Sequence, residues 1–163
     1  MKKIILLVFF LIAVTKTAFA IVEVDITRGN LDPLPIAVSP LYVQPGSKDI
    51  KQNDKVIKNI GEEISKVIEV NFKRSGLFNP LKKDSFVQSP DIAHVKPRFE
   101  DWRLIKAQAL VTGKVTISDE KLRVEFRLWD VVASKEMLAL AFSTTPDNWR
   151  RVAHIISDKV YER

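Results

Sequence analysis

Apolar residues recur with helical spacing in two long stretches of the chain. Between residues 54 and 75 they keep a period of about 3.6 residues, which predicts an amphipathic helix. Its candidate apolar face consists of Val56, Ile57, Ile60, Ile64, Val67, Ile68 and Phe72. Asn53 or Asp54 is suited to cap the start of this helix, and Gly76 is suited to the left-handed position after its end.

A second long helix is predicted at the end of the sequence. Thr145 is a suitable N-cap, and Pro146 fits the first helical position because no backbone N–H is needed there. The apolar stripe that follows consists of Trp149, Val152, Ala153, Ile156 and Val160. We expect this stripe to face the core. A shorter helix is predicted over residues 99–105.

Three segments between residues 109 and 144 have the pattern of strands. Residues 109–117 are mostly apolar, as expected of a strand that is covered on both faces. Residues 122–128 alternate between apolar and charged side chains, which predicts a strand with one solvated face. Residues 136–144 follow after a short reversal, and the short connections make these strands antiparallel neighbours.

Further extended segments are predicted in the first half of the chain. Residues 21–27 alternate between apolar and polar side chains, and residues 36–43 form a second, half-apolar strand. Residues 78–81 leave the long helix as a short extended piece. Because strands and helices alternate in this order, the pattern predicts an α/β sandwich with a mixed sheet between helices.

The first twenty residues have the pattern of a secretory signal peptide. Lys2 and Lys3 precede an apolar run over residues 4–14, and Ala18 and Ala20 provide a small-x-small cleavage site. A membrane-spanning helix needs about 20 apolar residues, so this run is too short to be one. We therefore expect cleavage after Ala20, export of the protein, and Ile21 as the first mature residue.

Composition narrows the possible chemistry. The 163 residues contain no cysteine, which excludes a disulfide framework, a thiolate metal site and a cysteine nucleophile. The formal charge of +6 falls to +3 without the three lysines of the first twenty residues. The remaining basic residues are mixed with acids, and this pattern favours a solvated surface over a nucleic-acid interface.

Catalytic and ligand-binding motifs are absent from the sequence. The five glycines are isolated, so neither a phosphate-binding loop nor a dinucleotide fingerprint is present. His94 and His154 lack carboxylates at metal-ligand spacing. Glu62 and Glu63 are interleaved with lysines, which favours ion pairing along a helix surface. No enzymatic role, metal or cofactor is predicted from these residues.

Several ordered pieces of the sequence resemble the amino-terminal domain of the TolB family, which belongs to the Tol–Pal envelope system. The two most specific pieces are the helix end Ser75-Gly76-Leu77-Phe78 and the run Arg151-Val152-Ala153-His154-Ile155-Ile156-Ser157-Asp158. Other matching pieces are residues 22–29, 35–40, 109–115 and 126–130. The resemblance extends over the whole chain after the signal peptide.

The resemblance implies a fold and a boundary. The fold is a mixed five-stranded sheet between helices, similar to anticodon-binding-type domains. Family members continue into a six-bladed β-propeller that carries the surface for the lipoprotein Pal. We expect no propeller in this chain, as in a fragment, a truncated gene product or an isolated domain. Pal binding is therefore assigned to no residue here.

The resemblance also implies a function. It is that of a periplasmic, non-enzymatic adaptor that supports outer-membrane integrity and outer-membrane invagination during cell division. The mature amino terminus is expected to contact TolA, through Ile21, Val22, Glu23, Val24, Asp25, Ile26, Thr27 and Arg28. A free alternating strand of this kind is able to add to the edge of a partner's sheet. The residues alone equally allow it to pair within its own sheet.

The expected organisation is thus a signal peptide over residues 1–20, an extended partner-binding segment over residues 21–34, and an α/β domain over residues 35–163. The protein is expected to lie peripheral to membranes without spanning them. Two alternatives are a small periplasmic enzyme and a nucleic-acid-binding domain of anticodon-binding type. An enzyme requires a convergent cluster of titratable residues that the sequence does not display, and the nucleic-acid alternative rests on fold analogy alone.

Overall fold

The computed structural model describes residues 32–52, 55–118 and 120–163. The predicted signal peptide and the predicted strand over residues 21–27 lie outside these residues. Two long helices are present, α1 (Ile60–Ser75) and α4 (Trp149–Tyr161), together with two short ones, α2 (Pro90–Ala93) and α3 (Phe99–Leu104). No helix among the described residues is long and apolar enough to cross a lipid bilayer.

Eight strands of the described residues form one main sheet and one hairpin. The strands are β1 (Leu34–Val38), β2 (Tyr42–Val43), β3 (Ile50–Gln52), β4 (Lys55–Ile57), β5 (Phe78–Pro80), β6 (Ala109–Ile117), β7 (Leu122–Asp130) and β8 (Lys135–Thr144). The main sheet has the order β5-β1-β6-β7-β8, and the short β2 pairs with the far end of β6. Strands β3 and β4 form a separate antiparallel pair.

The main sheet is mixed, as the sequence predicts. Strand β1 runs parallel to both β5 and β6, whereas β6, β7 and β8 are antiparallel neighbours joined by short turns. The α/β sandwich with a mixed sheet is therefore confirmed. Five strands form its continuous path, and β2 adds a short sixth strand beside β6.

The larger core lies between the sheet and the two long helices. The helices contribute their predicted stripes, including Ile64, Phe72 and Ile156, and the sheet contributes residues such as Val111 and Phe126. Asn71 of α1 joins the two helices, because its Nδ2 donates to Ser157 Oγ at 2.9 Å and lies 3.0 Å from His154 Nδ1. His154 is thus a satisfied surface histidine, as the sequence predicts.

A smaller core covers part of the opposite face of the sheet. Trp102 of α3 and Ala93 of α2 pack there against Leu110 and Trp129. The Trp102 indole N–H donates to Gln88 Oε1 at 3.1 Å. Because α2 and α3 are short, they cover only the β1 side of this face and leave the β8 side open.

The start of the long helix differs from the prediction. Helix α1 begins at Ile60, and residues 55–57 pair instead with residues 50–52 as a hairpin, which sets Ile57 opposite Ile50. Asn59 has a φ of 54°, a left-handed conformation that ends any helix before it. Val56, assigned by its spacing to the helix face, is 46% exposed in β4. The predicted caps at residues 53 and 54 lie outside the described residues.

The predicted single strand over residues 36–43 is also wrong in one respect. It is divided into β1 and β2 at Ser39 and Pro40, although both pieces pair in parallel with β6. Proline has no backbone N–H and cannot continue the ladder. After the break, the N–H of Leu41 donates to the carbonyl of Gly61 at 3.2 Å, which ties this segment to the first turn of α1.

Candidate protein-interaction surfaces

The residues predicted to contact TolA, Ile21 to Arg28, lie outside the described part of the chain, as do the cleavage residues Ala18 and Ala20. Their roles therefore stay predictions. The described residues begin just before β1, which occupies an internal position in the sheet between β5 and β6.

Titratable side chains are dispersed over the described surface. No group of three or more His, Asp or Glu side chains within residues 32–52, 55–118 and 120–163 is arranged to hold a metal ion. Lys66 contacts Glu63 at 2.9 Å and Glu62 at 3.5 Å, which is the helical ion pairing that the sequence predicts. His94 stacks on Tyr42 with ring centroids 4.3 Å apart, so its ring has a packing role.

Glu69 is a described carboxyl group whose pKa is raised in the folded protein. Burial raises its pKa, and the ammonium of Lys83, 3.3 Å from Glu69 Oε1, offsets only part of that effect. A raised folded-state pKa means that the folded protein holds this proton more tightly than the unfolded chain. The charged carboxylate therefore reduces stability above that pKa, and the cost disappears as the pH falls through it.

A pH-dependent stability difference follows for Glu69→Gln. We expect the wild type to lose stability relative to this variant as the pH rises from about 4 to about 7, because only the wild type has to ionise a desolvated carboxyl group. Urea unfolding of both proteins across this range measures the difference. The Lys83→Met substitution should enlarge this pH-dependent difference in stability. If the wild type instead gains stability relative to Glu69→Gln as the pH rises, the ion pair with Lys83 outweighs the cost of desolvating the Glu69 carboxylate.

The outer edge of β8 is the most extended unpaired feature of the described domain. Strand β8 has ten residues and, among the described strands, pairs only with β7. Along it, the half-buried side chains of Leu138, Leu140 and Phe142 face the larger core, and the exposed Ala139, Ala141 and Ser143 face the other side. From Met137 to Thr144 the edge carries no charged residue and no proline.

A groove of about 380 Å³ crosses the open face of the sheet beside this edge. Its floor includes the small residues Gly113, Ala139 and Ala141, and its walls include Lys114, Glu125 and Arg127. The sheet register explains this arrangement, since Lys114 pairs with Glu125 and Glu125 pairs with Ala141. The groove thus runs from the centre of the sheet to its β8 edge.

The charged side chains around the groove are held by partners within the domain. Glu125 Oε1 lies 3.0 Å from Arg123 Nε and 3.9 Å from Lys114 Nζ, and the arginine hydrogen bond is the main reason that the pKa of Glu125 is lowered. Arg127 Nη1 donates to the carbonyls of His94 and Val95 at 3.1 and 2.9 Å. The groove therefore has walls fixed by hydrogen bonds and ion pairs, and two cations, Arg123 and Lys114, share the single carboxylate of Glu125.

A second, more apolar hollow of about 270 Å³ lies where β1 and β8 begin. Leu34, Phe78 and Met137 line it, together with Val132, which is 69% exposed. Nothing in the described structure indicates what covers these side chains.

Neither the edge nor the groove was identified from the sequence. A signal was present, because the outward row of β8 consists of small uncharged residues whereas that of β7 is charged. This row of small residues indicates an exposed edge only if β8 is the last strand of the sheet. The order of the strands is a tertiary property that the local sequence does not reveal.

The chain is similar to known proteins over most of its length. The family model for the TolB amino-terminal domain matches residues 22–137. A curated relative from Pelagibacter ubique (strain HTCC1062), named Tol-Pal system protein TolB, is 65% identical over 158 residues. This similarity covers 97% of the chain and 35% of the relative, so the chain spans little more than a third of the relative's length.

Two solved structures share the fold. The crystal structure of TolB from Acinetobacter baumannii matches with a TM-score of 0.61 and 19% identity, over 80% of this chain and 28% of that chain. Lipoprotein GNA1162 from Neisseria meningitidis matches with a TM-score of 0.52 and 18% identity, over 80% of this chain and 96% of that chain. At these identities the likeness concerns the fold alone.

Proposed function

Because the chain belongs to the TolB amino-terminal domain family, we propose that it is a periplasmic, non-enzymatic adaptor of the Tol–Pal system. It supports outer-membrane integrity and outer-membrane invagination during cell division through contacts with other proteins. The observation that carries this proposal is the 65% identity to a Tol-Pal system protein TolB over nearly the whole chain.

The proposal includes the organisation predicted from the sequence. Residues 1–20 act as a signal peptide that is removed after Ala20, and residues 21–34 form the extended segment that binds a partner. The last residue of that segment, Leu34, is also the first residue of β1 and pairs with Phe78. The domain that follows supplies a rigid support for this segment. Pal is a partner only where a propeller is supplied beyond these residues, since no residue here is assigned to it.

TolA is the proposed partner of the segment from Ile21 to Arg28. In the extended conformation proposed for this segment, Val22, Val24 and Ile26 would share one side, and Glu23, Asp25 and Thr27 the other. Such a strand adds to a sheet edge of its partner, where backbone hydrogen bonds give affinity and the alternating side chains fix the register.

Deletion of residues 21–28 tests this proposal. We expect the exported deletion variant to lose calorimetrically detectable binding to its cognate TolA, while its free energy of unfolding stays within about 1 kcal/mol of the wild type. The physical reason is that the deletion removes the added strand and leaves the two cores intact.

Two matched substitution variants sharpen the test. Replacing Val22, Val24 and Ile26 by serine should weaken TolA binding by roughly tenfold or more, because the apolar row is the one buried in a partner. Replacing Glu23, Asp25 and Thr27 by alanine should have a smaller effect. If the deletion unfolds the domain or leaves TolA binding unchanged, the segment is part of the domain's own architecture.

A further inference from the structure

Strands β6, β7 and β8 place more cations than carboxylates on the open face of the sheet. Side chains two residues apart in a strand point to the same face, and the register sets Lys114 of β6 beside Glu125 of β7. Arg123 and Arg127 of β7 therefore share this face with both of them. Glu136 of β8, whose carboxylate lies close to Arg127, is the fifth charged side chain there. These strands thus give the face three cations and two carboxylates.

The ion pairs leave this excess of positive charge in place. Arg123 Nε and Lys114 Nζ lie 3.0 and 3.9 Å from the same oxygen, Glu125 Oε1. Arg127 Nε lies 3.4 Å from Glu136 Oε2. A separation of 3.9 Å is too long for a hydrogen bond, so Lys114 is attracted to Glu125 without being bonded to that oxygen. The five side chains are between 31% and 48% exposed, which keeps them accessible from the groove.

The titration of Glu125 reflects the same excess. Its pKa is lowered first by the hydrogen bond from Arg123, and further by the charges of Lys114, Arg123 and Arg127. All three cations therefore act on one small region of the face. A second carboxylate that entered the groove would be stabilised by the same field.

The β8 edge provides the route by which a carboxylate reaches this region. Among the described strands β8 pairs only with β7, and residues 137–144 carry no charge. Every second side chain of a strand added there points over Ala139 and Ala141, which line the groove of about 380 Å³. Ala139 is paired with Arg127 and Ala141 with Glu125. Because an alanine side chain ends at Cβ, a longer incoming side chain extends past it to the charged row of β7.

The charge count selects the incoming side chain. One carboxylate would make the numbers of cations and carboxylates equal and would gain charge-assisted contacts with Lys114 or Arg127. An incoming lysine would instead add a fourth cation. A second copy of this chain is disfavoured for the same reason, because it carries the same excess of cations on the same face.

The other face of an added strand meets apolar surface. Leu138, Leu140 and Phe142 are half-buried at the margin of the larger core. Apolar side chains beside them would complete the burial of this row. The segment that fits the edge therefore alternates apolar residues with polar ones, and one of the polar residues is acidic.

We propose that the β8 edge is a protein-docking surface, which takes up an extended acidic segment of a partner protein by strand addition and seats its carboxylate in the groove beside Lys114 and Arg127. This proposal goes beyond the binding of TolA. The deletion experiment above uses TolA and the experiment below uses synthetic peptides, so either proposal can fail without the other.

Three matched peptides provide the test. Each alternates valine with threonine, and they differ only at one central threonine position, which is replaced by glutamate, glutamine or lysine. In a titration of the exported chain followed by NMR at low ionic strength, we expect the glutamate peptide to shift the backbone amide signals of β8 and to slow their hydrogen exchange. It should bind about fivefold more tightly than the glutamine peptide, and the lysine peptide should bind most weakly. Added salt should reduce this preference, because it screens exposed charges.

Three variants of the chain test the charge count directly. Lys114→Gln makes the numbers of cations and carboxylates equal and should reduce the preference for glutamate to about twofold or less. Glu136→Gln increases the excess of cations and should enlarge the preference. Lys66→Gln is the matched control, since it removes one cation from α1, on the other face of the sheet, and should leave the preference unchanged. All three side chains are partly exposed, so the unfolding midpoints should stay near that of the wild type.

Several results would overturn the proposal. They are the absence of binding by all three peptides, equal binding of the glutamate and glutamine peptides, and shifted signals that lie outside β8 and the groove. An unchanged preference in Lys114→Gln, or an equal loss in Lys66→Gln, would show that the groove does not recognise the carboxylate. If the glutamate peptide binds only a variant that lacks residues 21–28, the occupant belongs to the chain itself. If sedimentation shows a dimer that the peptide dissociates, the occupant is a second copy.

Discussion

Trp149→Ala should reduce the free energy of unfolding by about 3–5 kcal/mol, as expected for a large-to-small change in a packed core. The Trp149 side chain is 1% exposed at the start of α4, inside the larger core. Its indole N–H also reaches the side-chain oxygen of Gln52 in β3 at 3.4 Å. Removal of the ring leaves a cavity and removes this contact between α4 and the β3–β4 hairpin. Chemical denaturation of the exported chain measures the loss.

Two variants separate packing from polar contacts at this position. Trp149→Phe keeps most of the ring volume and should cost less than the alanine change. Arg150→Ala removes only the guanidinium, which lies 4.4 Å from the centroid of the Trp149 ring, and should cost about 1 kcal/mol or less. A loss below about 1 kcal/mol for Trp149→Ala itself would contradict the buried position of the side chain.

Gly61→Ala should destabilise the protein by about 3 kcal/mol, near the upper end of the usual cost of overpacking. A Cβ atom on Gly61 would overlap the carbonyl oxygen of Leu41, which is backbone and cannot move aside as a flexible side chain does. In an ordinary helix interior the same change stabilises by about 1 kcal/mol. Whether Gly61→Ala lowers or raises the stability therefore tests the close contact with Leu41.

Thermal and urea unfolding of Gly61→Ala measure this effect. Val70→Ala serves as a control on the exposed side of the same helix and should change stability only slightly. An unchanged or increased unfolding midpoint for Gly61→Ala would show that α1 moves away from the segment between β1 and β2 without cost.

Elements whose neighbours are local were predictable from the sequence. Strands β6, β7 and β8 follow one another through short turns, and their patterns of apolar residues alone indicate pairing and faces. The apolar stripe of α4 is likewise confirmed, since Trp149, Val152, Ala153, Ile156 and Val160 are all buried. In these segments the local pattern and the tertiary environment agree.

The hairpin before α1 was missed because its residues satisfy two patterns. Val56 and Ile57 continue the helical spacing of Ile60 and Ile64, yet they pair with β3. The deciding feature is the left-handed backbone at Asn59, and spacing does not reveal it. The candidate β8 surface escaped prediction for a related reason, because an edge strand differs from an internal one only through the order of the strands.

The position of β1 has a consequence for how the chain folds. Strand β1 is the centre of the parallel part of the sheet, yet Ile36 pairs with Ala109 and Leu34 pairs with Phe78. Contacts between residues so far apart in sequence close large loops and slow the search for the native state. A ribosome releases β1 long before β6, so the apolar residues Ile36, Ala37 and Val38 emerge without their main partner. These apolar residues therefore stay without that partner until β6 has also been synthesised.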